Sequence, residues 1–213
     1  MTNKTVKGRN IEKSVNIALQ GGGSHGAFTW GVLDKLFEDD RLWIESISGT
    51  SAGAMNAAVA SQGMADNGAV GARKALRAFW ADVSGAGKYS PVKRSPIDMM
   101  LGNWNLDTSP GYLMMDMISR TSSPYDFNLM NSNPLRDLLL NHVDFETISG
   151  RDKKGGSNGF TIFISATNVE TGRVKIFERE ELTVDAILAS ACLPAMFQAV
   201  EIDGQHYWDG GYM

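Results

Sequence analysis

Apolar and polar positions along the chain alternate between short runs and longer amphipathic stretches. Val15-Asn16-Ile17-Ala18-Leu19 and Trp43-Ile44-Glu45-Ser46-Ile47 have the length of strands, and each leads through a glycine turn into helix-like sequence. Phe160-Thr161-Ile162-Phe163-Ile164 predicts a buried central strand, with Arg173-Val174-Lys175-Ile176-Phe177 as its hairpin neighbour across Glu170-Thr171-Gly172. Over residues 70–83 the period becomes helical: Ala72, Leu76, Phe79, Trp80 and Val83 share a stripe, while Arg73, Lys74 and Arg77 face elsewhere. Asn133-Pro134 is a helix start, with asparagine as cap and proline in the first turn, and the amphipathic segment ends at His142. A further helix is expected from Thr183 to Leu193, halted by Pro194, and a terminal strand over Gln205-His206-Tyr207-Trp208-Asp209. Strands alternating with helices predict a single α/β domain, a three-layer α/β/α arrangement on a mainly parallel central sheet.

Two stretches break this rhythm. Residues 84–131 interleave Pro91, Pro96, Pro110 and Pro124 with Met99, Met100, Leu101, Trp104, Leu113, Met114, Met115 and Met117, which argues against sheet and for a cap-like insertion. Methionine is flexible and polarisable, so the segment suits either the lining of an acyl-chain site or an irregular secondary core. Residues 151–158 read as a solvated loop.

The composition, 43% hydrophobic and 21% charged, is that of a globular domain with a substantial core. A net charge of −4 supplies no basic field for nucleic acid, and no nucleic-acid partner is expected. The one cysteine, Cys192, lies in an apolar segment, where a buried inert thiol is the default. The polar first thirteen residues lack the apolar run of a signal peptide, and no later run is long enough to span a bilayer, so a cytoplasmic protein with at most peripheral membrane contact is expected.

The chemistry is concentrated in three motifs. Gly21-Gly22-Gly23-Ser24-His25-Gly26 follows the first strand, Gly49-Thr50-Ser51-Ala52-Gly53 follows the second, and Asp209-Gly210-Gly211 closes the terminal strand. A serine nucleophile on a strand-to-helix turn sits on strained backbone, so positions two before and two after it tolerate almost no side chain; Gly49 and Gly53 meet that demand. The helix opening at Ala52 points free amides and the positive end of its dipole at Ser51. The Ala52 amide, joined by amides of Gly21, Gly22 and Gly23, is thereby the expected oxyanion hole. Read alone, each motif has a plainer explanation: Ser51 as a helix cap, the glycines as a close helix–strand crossing, Asp209-Gly210 as a turn.

Together these motifs resemble the patatin-like phospholipase family, serine lipid acyl hydrolases that use a Ser–Asp dyad in place of a triad. Ser165-Ala166-Thr167-Asn168 with Thr171-Gly172, and Ala189-Ser190-Ala191-Cys192-Leu193-Pro194-Ala195-Met196-Phe197, extend the likeness from about Val15 to the last residue. The resemblance implies Ser51 as nucleophile, Asp209 as base, and Gly26, Gly49, Gly53, Gly210 and Gly211 as supporting motif positions. It also implies a lipid or acyl-ester substrate, no cofactor and no metal. The resembled domain continues beyond the position of Asp209, so a missing C-terminal segment or a companion chain is expected.

The three histidines do not suggest a triad. His206 is an odd number of residues from Asp209 in one strand and so faces the other way. His142 at a helix C-terminus suits the dipole, and His25 lies within the glycine loop. Two other functions stay open at this level: a lipid-binding or scaffolding protein without turnover, and a dinucleotide-binding oxidoreductase, since Gly21-x-Gly23-x-x-Gly26 also fits the phosphate-binding fingerprint. The second wants an acidic residue ending the next strand, where this chain has Gly49-Thr50-Ser51 instead.

Overall fold

Parallel strands β3 (Lys13–Leu19), β4 (Leu42–Gly49) and β5 (Thr161–Asn168) lie side by side in chain order and carry the first two motifs at their C-terminal ends. The computed structural model describes residues 4–6, 9–87, 99–102, 109–150 and 159–213. Helix α1 (Gly26–Glu38) connects β3 to β4, and α2 (Ala52–Gly87) follows β4. Right-handed crossovers between consecutive parallel neighbours put both helices on one face of the sheet. On that face Val15, Ile17 and Leu19 of β3, Ile44 and Ile47 of β4, and Ile162, Ile164 and Ala166 of β5 meet Leu33 and Phe37 of α1 and Leu76 and Phe79 of α2 in one core.

Helix α2 is two arms. Its backbone leaves the helical region at Asn67 and Gly68, and Asn56 hydrogen-bonds Trp80 across that break at 2.8 Å. A straight helix would separate those residues by about 36 Å, so the arms run antiparallel. Gly63 and Gly71 let them touch, since a Cβ on Gly63 would stand 2.4 Å from the Gly71 carbonyl oxygen. The stripe expected over residues 70–83 is the second arm, with Ala72, Leu76, Phe79 and Trp80 buried.

Among the remaining described elements, α3 (Pro110–Thr121) and α4 (Pro124–Phe127) replace any sheet in the segment read as a cap, while Pro91, Pro96 and Trp104 lie outside the described residues, as does the loop 151–158. Helix α5 (Pro134–His142) is capped by the Asn133 side chain as expected, α6 (Phe145–Ser149) follows, and α7 (Val184–Ser190) is capped by Thr183. A hairpin links β5 to β6 (Val174–Phe177), and another joins β7 (Val200–Ile202) to β8 (Gln205–Asp209) through Asp203-Gly204. Strands β1 (Lys4–Val6) and β2 (Arg9–Ile11) form a small separate ribbon that the polar N-terminal sequence did not suggest.

The α/β fold expected from sequence is present, and two of its particulars are resolved by the topology. The sheet is mixed: β3, β4 and β5 are parallel, while β6, β8 and β7 are added antiparallel. The β5–β6 and β7–β8 connections are too short for the crossover a parallel pairing needs. The helices that build the core share one face, and across it Ser14, Asn16, Ala18 and Ser48 are exposed.

Candidate active site

Strand β5 brings the second and third motifs together. Ile164 pairs with both Gly49 of β4 and Phe177 of β6, so those strands occupy opposite edges of β5. Ala166 pairs with Lys175 of β6 and with Asp209, which puts β8 on the same edge as β4, two residues further along. The C-terminal end of β4 and that of β8 therefore meet end to end, separated by about 7 Å of β5. A Cβ on Gly210 would stand 2.9 Å from Thr50 Cγ2, so the two ends abut closely enough that only glycine fits.

At the elbow Ser51 adopts φ 56°, a left-handed conformation rare for a non-glycine residue and the strain expected of an exposed nucleophile. A Cβ on Gly49 would meet the Gly53 carbonyl at 2.6 Å, and one on Gly53 would meet the Leu19 carbonyl at 2.2 Å. The spacing requirement read from sequence is thus a requirement for backbone contact between the turn, its helix and the neighbouring strand.

The glycine loop packs onto this turn. A Cβ on Gly21 would stand 2.9 Å from Ser51 Cβ, and one on Gly26 would stand 2.8 Å from Ala52 Cβ. Gly22 and Gly23 take φ of 134° and 55°, which turns successive peptide units within the loop. His25 Nδ1 lies 3.0 Å from the Gly22 carbonyl oxygen, a contact that steadies the loop with the ring itself exposed.

Asp209 is 5% exposed. Its Oδ1 accepts the Gly211 amide at 2.8 Å, its own amide donates to the Cys192 carbonyl at 2.8 Å, and its carbonyl accepts Thr167 Oγ1 at 3.0 Å. Ser51, Ala52, Asp209, Gly210, Gly211 and the glycine loop line one cavity of about 850 Å³, whose other walls include Met55, Phe79, Trp80, Val83, Leu193, Met196 and Phe197. A polar end with an apolar body suits a ligand with a reactive head and a long hydrocarbon part. Among the described residues the methionines lining it are Met55 and Met196; of those read as a cap, Met99, Met100, Met114 and Met117 are exposed to solvent.

Two supports were not legible as site residues. Ser190, fully buried, takes the Ser51 amide on both its carbonyl (3.1 Å) and its Oγ (2.9 Å), so the stretch Ser190-Ala191-Cys192 holds the amides of Ser51 and Asp209 alike. Asn56, also fully buried, donates to the Gly26 carbonyl at 2.9 Å and accepts from Trp80 Nε1 at 2.8 Å, tying the glycine-loop helix and both arms of α2. An asparagine inside the run Ala54 to Ala60 was the available signal for the second. Ser190 lies in a stretch that carries the family resemblance, but its tie to Ser51 was not readable, because the two lie 139 residues apart.

The histidines stand apart from the cavity lining. His206 Nδ1 lies 3.0 Å from Glu170 on the far side of the β8 alternation, and it holds the Glu170 carboxyl below the usual range. His142 contacts Asp82 at 2.8 Å and meets Phe79 edge-on. Cys192 is buried, its thiol donating to the Gln198 carbonyl at 3.1 Å, and desolvation pushes its pKa up to about 12. The thiolate, the reactive form, is scarce at neutral pH, in keeping with an inert cysteine.

A family model of patatin-like phospholipases matches residues 17–213, covering all three motifs. The chain belongs to the patatin-like phospholipase family. Among solved structures, VipD from Legionella pneumophila is similar over 98% of this chain and 48% of its own length, at 20% identity and a TM-score of 0.51, which supports the shared fold. The heterodimeric ExoU–SpcU complex of the type III secretion system of Pseudomonas aeruginosa is also similar, over 83% of this chain and 36% of the matched one, at 18% identity and a TM-score of 0.34. This patatin-like chain therefore spans about half the length of the VipD chain it matches. No curated protein matches it. Among the described residues no helix is long and apolar enough to cross a membrane, and no three potential metal ligands cluster.

Proposed function

We propose that this patatin-like protein hydrolyses an acyl ester of a phospholipid or lysophospholipid through an acyl-Ser51 intermediate, with Asp209 as the base. The observation that carries the reading is the meeting of a strained Ser51, the glycine loop and a nearly buried Asp209 at the polar end of one largely apolar cavity.

In this mechanism Ser51 Oγ attacks the ester carbonyl while its proton passes to the Asp209 carboxylate. The carbonyl oxygen becomes an oxyanion held by the Ala52 amide, the first of α2 and so without an intrahelical acceptor, and by amides of the Gly21–Gly23 loop. One such donor contributes about 3 kcal/mol to the transition state. Collapse expels the alcohol portion, which takes the proton from Asp209. Water then enters and attacks the acyl carbonyl as Asp209 takes its proton; the C–Oγ bond breaks, Asp209 returns that proton to Ser51 Oγ, and the fatty acid departs with both residues restored. The Gly211 amide on Oδ1 orients the carboxylate throughout.

A fluorophosphonate probe tests the reading directly, because it forms a covalent bond only with an activated serine. Labelling of the parent protein, lost in Ser51→Ala and in Asp209→Asn with the fold intact, is the expected result. An unlabelled parent would instead favour a lipid-binding member of the family without turnover.

A further inference from the structure

We infer that the turn Asn128–Asn133, with Leu129 and Met130 at its tip, is the element by which this protein seats itself on a bilayer surface beside the mouth of its cavity; the inference rests on the lipid-hydrolase reading above. Leu129 is 78% and Met130 92% exposed, adjacent large apolar side chains at the end of a loop. Exposure on that scale in a mobile loop would carry little meaning, but this turn is built. Asn128 Oδ1 accepts the Ser132 amide at 2.9 Å, Asn128 Nδ2 donates to the Ser132 carbonyl at 3.1 Å, and the Asn131 amide donates to the Asn128 carbonyl at 2.9 Å. Asn131 completes the bend at φ 46°.

These bonds decide what the tip can enter. A backbone group taken out of water without a partner carries a heavy penalty, and the turn lowers that cost by pairing the Asn131 and Ser132 amides and the Asn128 and Ser132 carbonyls within itself. The six residues of the turn, Asn-Leu-Met-Asn-Ser-Asn, include no charge. Two apolar side chains ringed by neutral amides and a hydroxyl match the layered polarity of a bilayer interface, hydrocarbon below and headgroups above. The same neutrality argues against an acidic or basic protein partner, whose docking would use complementary charge.

Position supplies the link to the site. Gln198 Nε2 donates to the Asn128 carbonyl at 2.8 Å, and the Ala199 amide donates to Tyr125 Oη at 3.3 Å, so the turn is fastened to the residues immediately following Phe197. Phe197, Met196 and Leu193 are cavity wall, with Leu193 and Met196 each 38% exposed. The tip thus stands next to the mouth, so that seating it in a bilayer would bring the cavity to the membrane surface, while the polar pocket that Asn131, Asn133 and Phe197 share with Arg136, Asp185 and Glu201 would lie at headgroup level.

The test uses the full chain carrying Ser51→Ala, so that lipid is not consumed, and measures cosedimentation with phosphatidylcholine vesicles. Replacing both Leu129 and Met130 by serine removes the two anchors, and each buried side chain of this size is worth roughly tenfold in partition. The double variant should lose at least about tenfold in vesicle binding. Its melting temperature, and in the Ser51 background its hydrolysis of soluble p-nitrophenyl butyrate, should be unchanged. Binding of the Ser51→Ala protein should also be indifferent to salt. A double variant that binds as its parent does, binding confined to anionic vesicles and abolished by salt, or a change in sedimentation coefficient showing the tip to be a contact between copies, each overturns the proposal. Lost vesicle binding together with an unlabelled Ser51 would sustain the docking surface while removing the hydrolase.

Discussion

Every residue from Ala52 to Ala60 in the first arm of α2 is buried, whereas in α3 Leu113, Met114 and Met117 are 53%, 61% and 61% exposed. The first stretch is made mostly of small residues that bring its backbone against β3 and α1, and it directly follows Ser51, the proposed nucleophile. The second is made of large flexible residues facing solvent. Packing small residues at backbone distance fixes geometry to within tenths of an ångström, which an elbow requires. Long apolar side chains held outward fix nothing within the protein, and they leave surface for something outside it. The difference separates a region that positions chemistry from one available to meet a substrate of variable shape.

The sharpest way to break this contrast is at the proposed dyad. Ser51→Ala and Asp209→Asn should each lower p-nitrophenyl butyrate hydrolysis by at least about a thousandfold while leaving circular dichroism and melting temperature nearly unaltered. Retained turnover in either variant would show that the rigid region does not carry the chemistry. Next comes Gly53→Ala, a change of one methyl. Its Cβ would lie 2.2 Å from a backbone oxygen that has no rotamer through which to retreat, so a loss of about 3 kcal/mol in urea unfolding is expected. Stability equal to the parent's would mean that the helix–strand contact is looser than described.

Asn56→Leu should follow, because it strands the Gly26 carbonyl and Trp80 Nε1 inside the core. About 2 kcal/mol of stability is expected to go, with kcat falling more than KM rises, since the glycine loop loses its tie to α2. Met114→Ser with Met117→Ser should change stability by no more than about 0.5 kcal/mol per position and raise KM for long-chain esters alone. A large fall in melting temperature there would make α3 part of a core after all. Smallest is His206→Ala, expected to keep substantial turnover; if it proved as inactive as Ser51→Ala in a folded protein, a triad would replace the dyad.

What the sequence disclosed follows the range of the physical demand. The absence of side chains at Gly49 and Gly53 answers contacts made by the turn itself, and the Asn133 and Thr183 caps serve amides two or three residues away, so both were readable locally. The antiparallel half of the sheet was readable only in part: the β5–β6 hairpin announces itself through Gly172, but the sharing of one β5 edge by β4 and β8 depends on register between distant strands. The helix opening at Ala52 and the stripe over residues 70–83 were each readable, but their antiparallel packing was not, because it rests on the break at Asn67-Gly68 and on the contact between Gly63 and Gly71. Methionine composition offered a cavity lining or a secondary core, and neither describes the solvent-facing Met99, Met100, Met114 and Met117.

The stretch Ser190-Ala191-Cys192 has a consequence for how Ser51 and Asp209 fluctuate. Because it grips the amide of Ser51 at one end and that of Asp209 at the other, a displacement of this short span carries both residues in the same direction. Motions of the surrounding helices are then largely common to the pair and cancel in the distance between them. A proton transfer depends on that distance far more than on where either group stands relative to the rest of the molecule. In the proposed mechanism the protein can therefore flex around a bulky acyl ester while the interval between Ser51 and Asp209 is held steady.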